Sequence, residues 1–436
     1  MVENNEFASR GLLMTAEALQ RKFIAGSIVH WRRRLMVHCV MACFWLWTAG
    51  VAFAQQPLDL RSALTAAEAG NLELRAVRQQ RALAIAGLTT ARQMPNPVLS
   101  FTVARDTPHE GVSLDFPLEL GGKRGKRIAV AQEEQKAAEI DIGILSRQIR
   151  RRTREAFYRS LSAREQTAQA KTALDISTRI RDLAQQRFEV GDVAQLEVLQ
   201  ADVELARSSA DYEITAQAQR AADVALAALL NRQLGADLSL QGKLDEVPLA
   251  PEFESLTARA LQSSGDLLKA TQDLKTEERR LELAKAQRIP NLDLSAGGDF
   301  NSPPDFKAGG KGGLSVTLPL FYHGQGEVAQ STARLELLRL MMAAQRTKVS
   351  AEVAAAYFDY SAKGRLVQQY HDRVMPETIR LERMAEDSYQ SGKTNVLTLL
   401  DAQRRLGDVR KAYLEALLSA QTSFAVLEEA VGVPLD

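Results

Sequence analysis

Four short stretches of this chain alternate apolar and polar residues with period two, and the long segments between them carry apolar residues at helical spacing. Leu99, Phe101 and Val103 alternate with Ser100, Thr102 and Ala104. The segment that follows sets Val112, Leu114, Phe116 and Leu118 against Ser113, Asp115 and Pro117. Later in the chain Leu292, Leu294, Ala296 and Phe300 alternate with Asn291, Asp293, Ser295 and Asp299. Leu314, Val316, Leu318 and Leu320 then alternate with Ser315, Thr317 and Pro319. Polar, proline-bearing turns join the members of each pair, so each pair is predicted to be a hairpin. Strands of about nine residues can cross a bilayer at a tilt of roughly 45°. The same alternation also describes hairpins half-buried against helices. If the strands span, four of them cannot close a barrel, which takes about eight, and several chains are needed.

Proline and glycine punctuate the rest unevenly. No proline lies between Pro117 and Pro248, and between Lys126 and Val190 the only glycine is Gly143. Such a stretch, rich in Ala, Gln, Glu, Arg and Leu, has high helix propensity. Arg124 to Arg187 alone makes about 95 Å of helix, a length that suits coiled-coil packing. Each long helix stops at an aromatic followed three residues later by glycine, Phe188 with Gly191 and Tyr389 with Gly392. A left-handed glycine cap there allows a tight reversal and an antiparallel return helix. After the first reversal Leu196, Leu199, Val203 and Ala206 predict an apolar seam. Leu397 and Leu400 repeat its first half before Arg404 and Gly407 depart from it.

The layout occurs twice. Gly70-Asn71-Leu72 matches Gly265-Asp266-Leu267, Pro95-Asn96 matches Pro290-Asn291, and Pro117-Leu118 matches Pro319-Leu320. Phe157-Tyr158 matches Tyr357-Phe358. These correspondences, in order, predict a tandem duplication: a first repeat over 55–232, a linker over 233–251 and a second repeat over 252–436. Each repeat reads helix, strand, strand, long helix, break, helix, with the first helix running from about Leu60 to Arg92. The fold class is mainly α with a small β part.

Composition narrows the class. The 55 Lys+Arg against 54 Asp+Glu argue against a nucleic-acid partner, which would call for a basic face. Arg32-Arg33-Arg34, the apolar run Leu35 to Gly50 and Ala52-Phe53-Ala54 predict a secretory signal over residues 1–54. A retained anchor and a lipid-attachment reading at Cys43 are the alternatives. Both cysteines, Cys39 and Cys43, fall inside this segment, so the exported chain has no cysteine chemistry.

A signal segment, the duplicated plan and two aromatic-x-x-Gly breaks together resemble the TolC family of outer-membrane channel proteins. The motifs that carry the resemblance are Pro95-Asn96-Pro97, Phe188-x-x-Gly191 with Leu196-Glu197-Val198-Leu199, and Tyr389-x-x-Gly392 with Val396-Leu397-Thr398-Leu399-Leu400-Asp401. The segment Pro117 to Arg127 looks most like the CzcC-type branch that serves heavy-metal efflux. The resemblance implies a homotrimer whose chains supply four strands each to a 12-stranded outer-membrane barrel, with the helices forming a periplasmic α-barrel. It implies an exit duct docked on a periplasmic adaptor protein and an inner-membrane pump, with Gly191 and Gly392 at the docking tip. Glu197, Tyr389 and Asp401 fall where the family closes its channel. Thr394 and Thr398 depart from that pattern, and Lys393 is the nearby basic substitute. Lys123, Arg124, Lys126 and Arg127 follow the returning strand, where they would meet outer-membrane lipid headgroups or simply begin a solvated helix.

Catalysis leaves no mark. His109, His323 and His371 are far apart with no companion cysteine, and neither G-x-S-x-G nor H-E-x-x-H occurs. The chain reads as a non-enzyme without cofactor or resident metal. Two other readings share much of the pattern: an outer-membrane channel for drug or type I protein export, and a soluble periplasmic coiled-coil scaffold.

Overall fold

The computed structural model describes residues 57–234, 238–249, 251–302, 304 and 306–435, and the signal segment lies outside them. The chain order is α1 (Leu60–Gly70), α2 (Leu72–Arg92), β1 (Val98–Val103), β2 (Glu110–Leu118), α3 (Lys123–Glu189) and α4 (Gln195–Leu229). The second half follows with α5 (Phe253–Ser263), α6 (Gly265–Gln287), β3 (Leu292–Ser302), β4 (Phe306–Val316) and α7 (Gln325–Gln369). A π-turn (Tyr370–Val374), α8 (Met375–Gln390) and α9 (Val396–Val431) complete it.

The first helix of each half is broken where sequence reading made it continuous. Asn71 sits at φ −59°, ψ 124° and accepts from the Leu74 N–H at 3.1 Å; Ser264 adopts φ −55°, ψ 126°. Ψ near 125° ends one helix, and the cap starts the next at an angle. These two caps correspond, so Leu74 matches Leu267, both buried. The expected match of Gly70-Asn71 with Gly265-Asp266 is displaced by two residues.

The strands form one antiparallel sheet in the order β1-β2-β3-β4, with β2–β3 joining the two halves. Register aligns the alternation across all four. Leu99, Leu114, Ala296 and Gly312 stand in one row, and Leu118, Leu292 and Val316 in another, all on the same face. Ser100, Ser113, Gly297 and Lys311 form a row on the opposite face, which also carries Asp115, Asp293 and Asp299. The exceptions, Val98 and Glu110, are at strand ends. Lys311 Nζ lies 2.6 Å from Asp299 Oδ1 across β3–β4. A one-residue slip would exchange the faces. Strands β1 and β4 each pair on one side only, leaving two open edges.

Two apolar cores lie where the long helices meet α1–α2 and α5–α6. Ile149, Phe157, Leu226 and Leu74 lead the first; Leu256, Val353, Phe424 and Leu427 lead the second. The linker crosses them as a strap: Gln421 Nε2 donates to the carbonyls of Leu244 (3.2 Å) and Glu246 (2.9 Å), and Tyr360 Oη donates to Pro248. Between the cores, Arg154 is 2% exposed and pairs with Glu428 at 3.0 Å, while Arg150 takes the other carboxylate oxygen at 3.0 Å. From this belt α3 runs on to the tip; its 67 residues span about 100 Å. No described helix is long and apolar enough to cross a membrane.

Candidate functional site

Both reversals close in the same way. Gly191 at φ +79° donates to the Phe188 carbonyl (2.9 Å) and Asp192 to that of Arg187 (2.8 Å). Gly392 at φ +67° donates to Tyr389 (3.0 Å) and Lys393 to Ser388 (2.9 Å). Positive φ is why glycine stands at both positions. Asn395 then caps α9, its side chain accepting from Thr398 N–H at 3.1 Å. Thr398, one of the two departures from the family's gate pattern, is part of that cap.

The aromatics before the two turns differ. Phe188 is 39% exposed, whereas Tyr389 is fully buried among Ile180, Ala184, Val198, Val396, Leu399 and Leu400. Both hairpins therefore pack around one ring. Arg187 lies over it, 5.1 Å from the centroid, and is held there by Asp192 at 2.7 Å. Burial pushes the Tyr389 phenol up; Arg187 pulls it back, and Glu197 and Asp192 add to the rise. The phenol is thus neutral, a donor. Its oxygen has no hydrogen-bond partner, and neither do the buried Glu197 Oε2 and Thr394 Oγ1 beside the same turns. Asp401 is exposed and pairs with Arg405 at 3.0 Å. Structure thus groups Tyr389 with Glu197 and sets Asp401 about one and a half turns into α9.

The predicted seam is corrected. Leu196, Leu199 and Val203 are 63%, 59% and 60% exposed, and Val198, Ala201, Glu204 and Ser208 face the hairpin interior instead. Close approach of antiparallel helices favours small residues, and polar ones are admitted because each finds a partner. Ser208 Oγ meets Ser177 Oγ at 2.9 Å, and Glu204 takes Arg404 Nε at 2.9 Å. Arg404, which departs from the apolar pattern, thereby ties α9 to α4. Arg187 escaped sequence reading, although an arginine five residues before an aspartate across a glycine turn was its visible signal.

At the other end the four basic residues are engaged within the chain. Lys123 Nζ donates to Asn291 Oδ1 (2.5 Å), Arg124 Nε to the Arg92 carbonyl (2.8 Å), and Lys126 pairs with Glu282 (2.8 Å). Arg127 pairs with Glu119 (2.6 Å) and also donates to the carbonyls of Ala91 and Gln93. These contacts satisfy the carbonyls at the α2 C-terminus and fasten β2 and β3 to the helices, a role distinct from the expected headgroup contact. Hydrogen bonding from Arg127 and the nearby cations hold the Glu119 carboxyl below the ordinary glutamate range. A depressed carboxylate stabilises the fold above its unfolded pKa, and that stability is lost as pH falls through the folded value. Glu119→Gln should therefore flatten the acid limb of a stability–pH curve; an unchanged limb would show the clamp contributes nothing.

Two long hairpins bound round a shared tip carry a two-faced sheet a helix-length away, and comparison with known proteins gives the family of this fold. Residues 63–232 and 256–433 match the family described as outer membrane efflux protein. The chain belongs to that family of outer-membrane channels. It is 25% identical over 382 residues, 87% of this chain and 91% of the relative, to the cobalt-zinc-cadmium resistance protein CzcC of Cupriavidus metallidurans. The solved structure of VceC from Vibrio cholerae superposes with TM-score 0.70 at 17% identity, covering 86% of this chain and 97% of that one. CusC gives TM-score 0.70 at 17% identity over 86% and 92%.

Proposed function

We propose that three copies of this chain form the passive outer-membrane exit duct of a tripartite efflux machine, joined through a periplasmic adaptor to an inner-membrane pump. The observation that carries this reading is the sheet, apolar on one face, polar on the other, open at both edges. In hydrocarbon every backbone group needs a partner, so such a sheet must close on others like it. Four strands are too few, and three chains supply twelve. The soluble-scaffold alternative gives no use for the aligned apolar face.

Metal cations are the proposed cargo, on the likeness to CzcC and on the charge of the polar face, where Asp115, Asp293 and Asp299 outnumber Lys307 and Lys311. At the tip, Tyr389, Glu197 and Asp401 are the proposed gate. The Tyr389 hydroxyl and Glu197 Oε2 are both buried at the turns without a hydrogen-bond partner in the chain, so a shift of the tip on assembly would let them bond. A bond from a neutral donor to a carboxylate contributes about 1.5–3 kcal/mol at each symmetric site. Planar-bilayer recording tests the reading. Tyr389→Phe should leave the stability of each chain unchanged, because its hydroxyl bonds nothing within it, yet raise conductance. Asp401→Ala should lower cation preference. Unaltered conductance and selectivity in both variants would sink the gate assignment; failure of the wild-type protein to form pores would sink the duct.

A further inference from the structure

The helices next to the sheet form a wall in the order α2–α3–α6–α7, which follows the order of the strands. Helix α3 is held from two sides. Arg124 and Arg127 reach α2, while Glu133, Asp141 and Ile144, on the opposite side, meet Gln272, Lys269 and Gly265 of α6. Helix α6 is held from two sides as well, because its Asp266 and Glu277 face Gln345 and Arg334 of α7. The wall ends at α2 and α7. Among the described residues nothing covers the outer side of either. Those bare sides carry Leu72 and Leu83 on α2 and Leu337, Leu340 and Met341 on α7, each more than half exposed. Exposed apolar residues gathered along one helix side mark a contact surface.

The internal repeat says what fits there. Buried Ile149, Thr153 and Ala156 of α3 correspond to Val349, Val353 and Ala356 of α7, 200 positions on. Buried Leu74 and Ala91 of α2 correspond to Leu267 and Ala284 of α6, 193 positions on. Applied to the seam between α3 and α6, these two shifts land on the bare sides. Lys269 with Asp141 becomes Ala76 with Met341; Gln272 with Glu133 becomes Gln79 with Ala333; Arg280 with Glu134 becomes Gly87 with Arg334. Within the chain these are polar contacts: Lys269 pairs with Asp141, Gln272 Nε2 donates to Glu133 Oε2 at 2.7 Å, and Arg280 lies 2.7 Å from Glu134. The bare sides keep the shape of that seam and lose its paired charges. Small residues on α2 leave room for the leucines and methionine of α7, and such an apolar centre is usual where like chains join permanently.

We propose that α2 of one copy lies along the bare side of α7 of the next, in the place α6 takes on α3, so that the seam between copies is apolar where the seam within each chain is ionic. The contact is head-to-tail, and three of them close a ring; the inference rests on the three-copy reading. Cross-linking tests the register. Leu72→Cys with Ala344→Cys, the counterparts of Gly265 and Ile144, in a chain carrying Cys39→Ser and Cys43→Ser, should link copies into dimers and trimers on a non-reducing gel. Leu72→Cys with Arg346→Cys, two residues on and turned by about 200°, should not. A second test installs the charges of the inner seam. Met341→Asp, the counterpart of Asp141, should lose the trimer band of the unheated protein, because it places an unpaired carboxylate in an apolar contact. Adding Ala76→Lys, the counterpart of Lys269, should return most of that band. Equal linking of the two cysteine pairs, or a double variant no better than Met341→Asp alone, would overturn the seam. Wild-type pores without linking between Leu72→Cys and Ala344→Cys would remove the seam and leave the duct standing; a wild-type protein with no three-chain form would remove both.

Discussion

Leu114→Arg should prevent stable insertion, while Ser113→Arg, one residue away, should be tolerated. Leu114 is at the middle of β2, in a row with Leu99 and Ala296 on the apolar face; Ser113 shares the polar face with Ser100 and Gly297. Arginine facing lipid near the bilayer midplane costs about 2–4 kcal/mol, and a trimer incurs that cost at three positions. On the polar face the same side chain meets water and the carboxylates of Asp115 and Asp299. Outer-membrane fractionation with unheated gel mobility would compare the two. Equal loss of assembled protein for both would mean the sheet does not separate lipid from water.

Glu428→Ala should destabilise the fold by about 3–5 kcal/mol, the usual result of removing one partner from a buried charge pair. Arg154 and Glu428 are 2% and 8% exposed, and Arg150 shares the same carboxylate. The substitution leaves two guanidinium groups facing a carboxylate that is gone, inside the belt where both halves meet. Arg154 keeps its place over Phe424, 5.1 Å from the ring centroid, so the loss is electrostatic more than steric. Glu428→Gln retains shape and one acceptor and should fall between wild type and alanine in thermal unfolding. If glutamine and alanine are equally mild, the network contributes little and the cores alone hold the belt.

Much of the tip was legible because its signals are local. Positive φ at Gly191 and Gly392 follows from an aromatic, a glycine and the end of a helix, all within a few residues. The polar atoms around them were harder. Tyr389 and Phe188 occupy matching places in sequence, yet one is buried and the other half exposed, since burial there depends on how two hairpins meet. Arg187 was overlooked for the same reason: its ring partner is two hundred residues away in the chain. The basic residues from Lys123 to Arg127 read as headgroup-facing or solvated because the carbonyls of α2 that Arg124 and Arg127 reach carry no sequence signal.

Amino-acid order alone determined the first three strands and their faces, the long helices and the turn glycines, whereas the fourth strand, read from Leu314 to Leu320, runs instead from Phe306 to Val316. These depend on side-chain period and backbone preference, which act over a few residues. Tertiary structure decided which helix face is inside. Near the tip, the apolar stripe Leu196, Leu199 and Val203 of α4 lies on its outer surface, and small and polar residues take the interior because Arg404 and Ser177 reach across to satisfy them. Burial and pairing are properties of facing surfaces, and no single segment carries them.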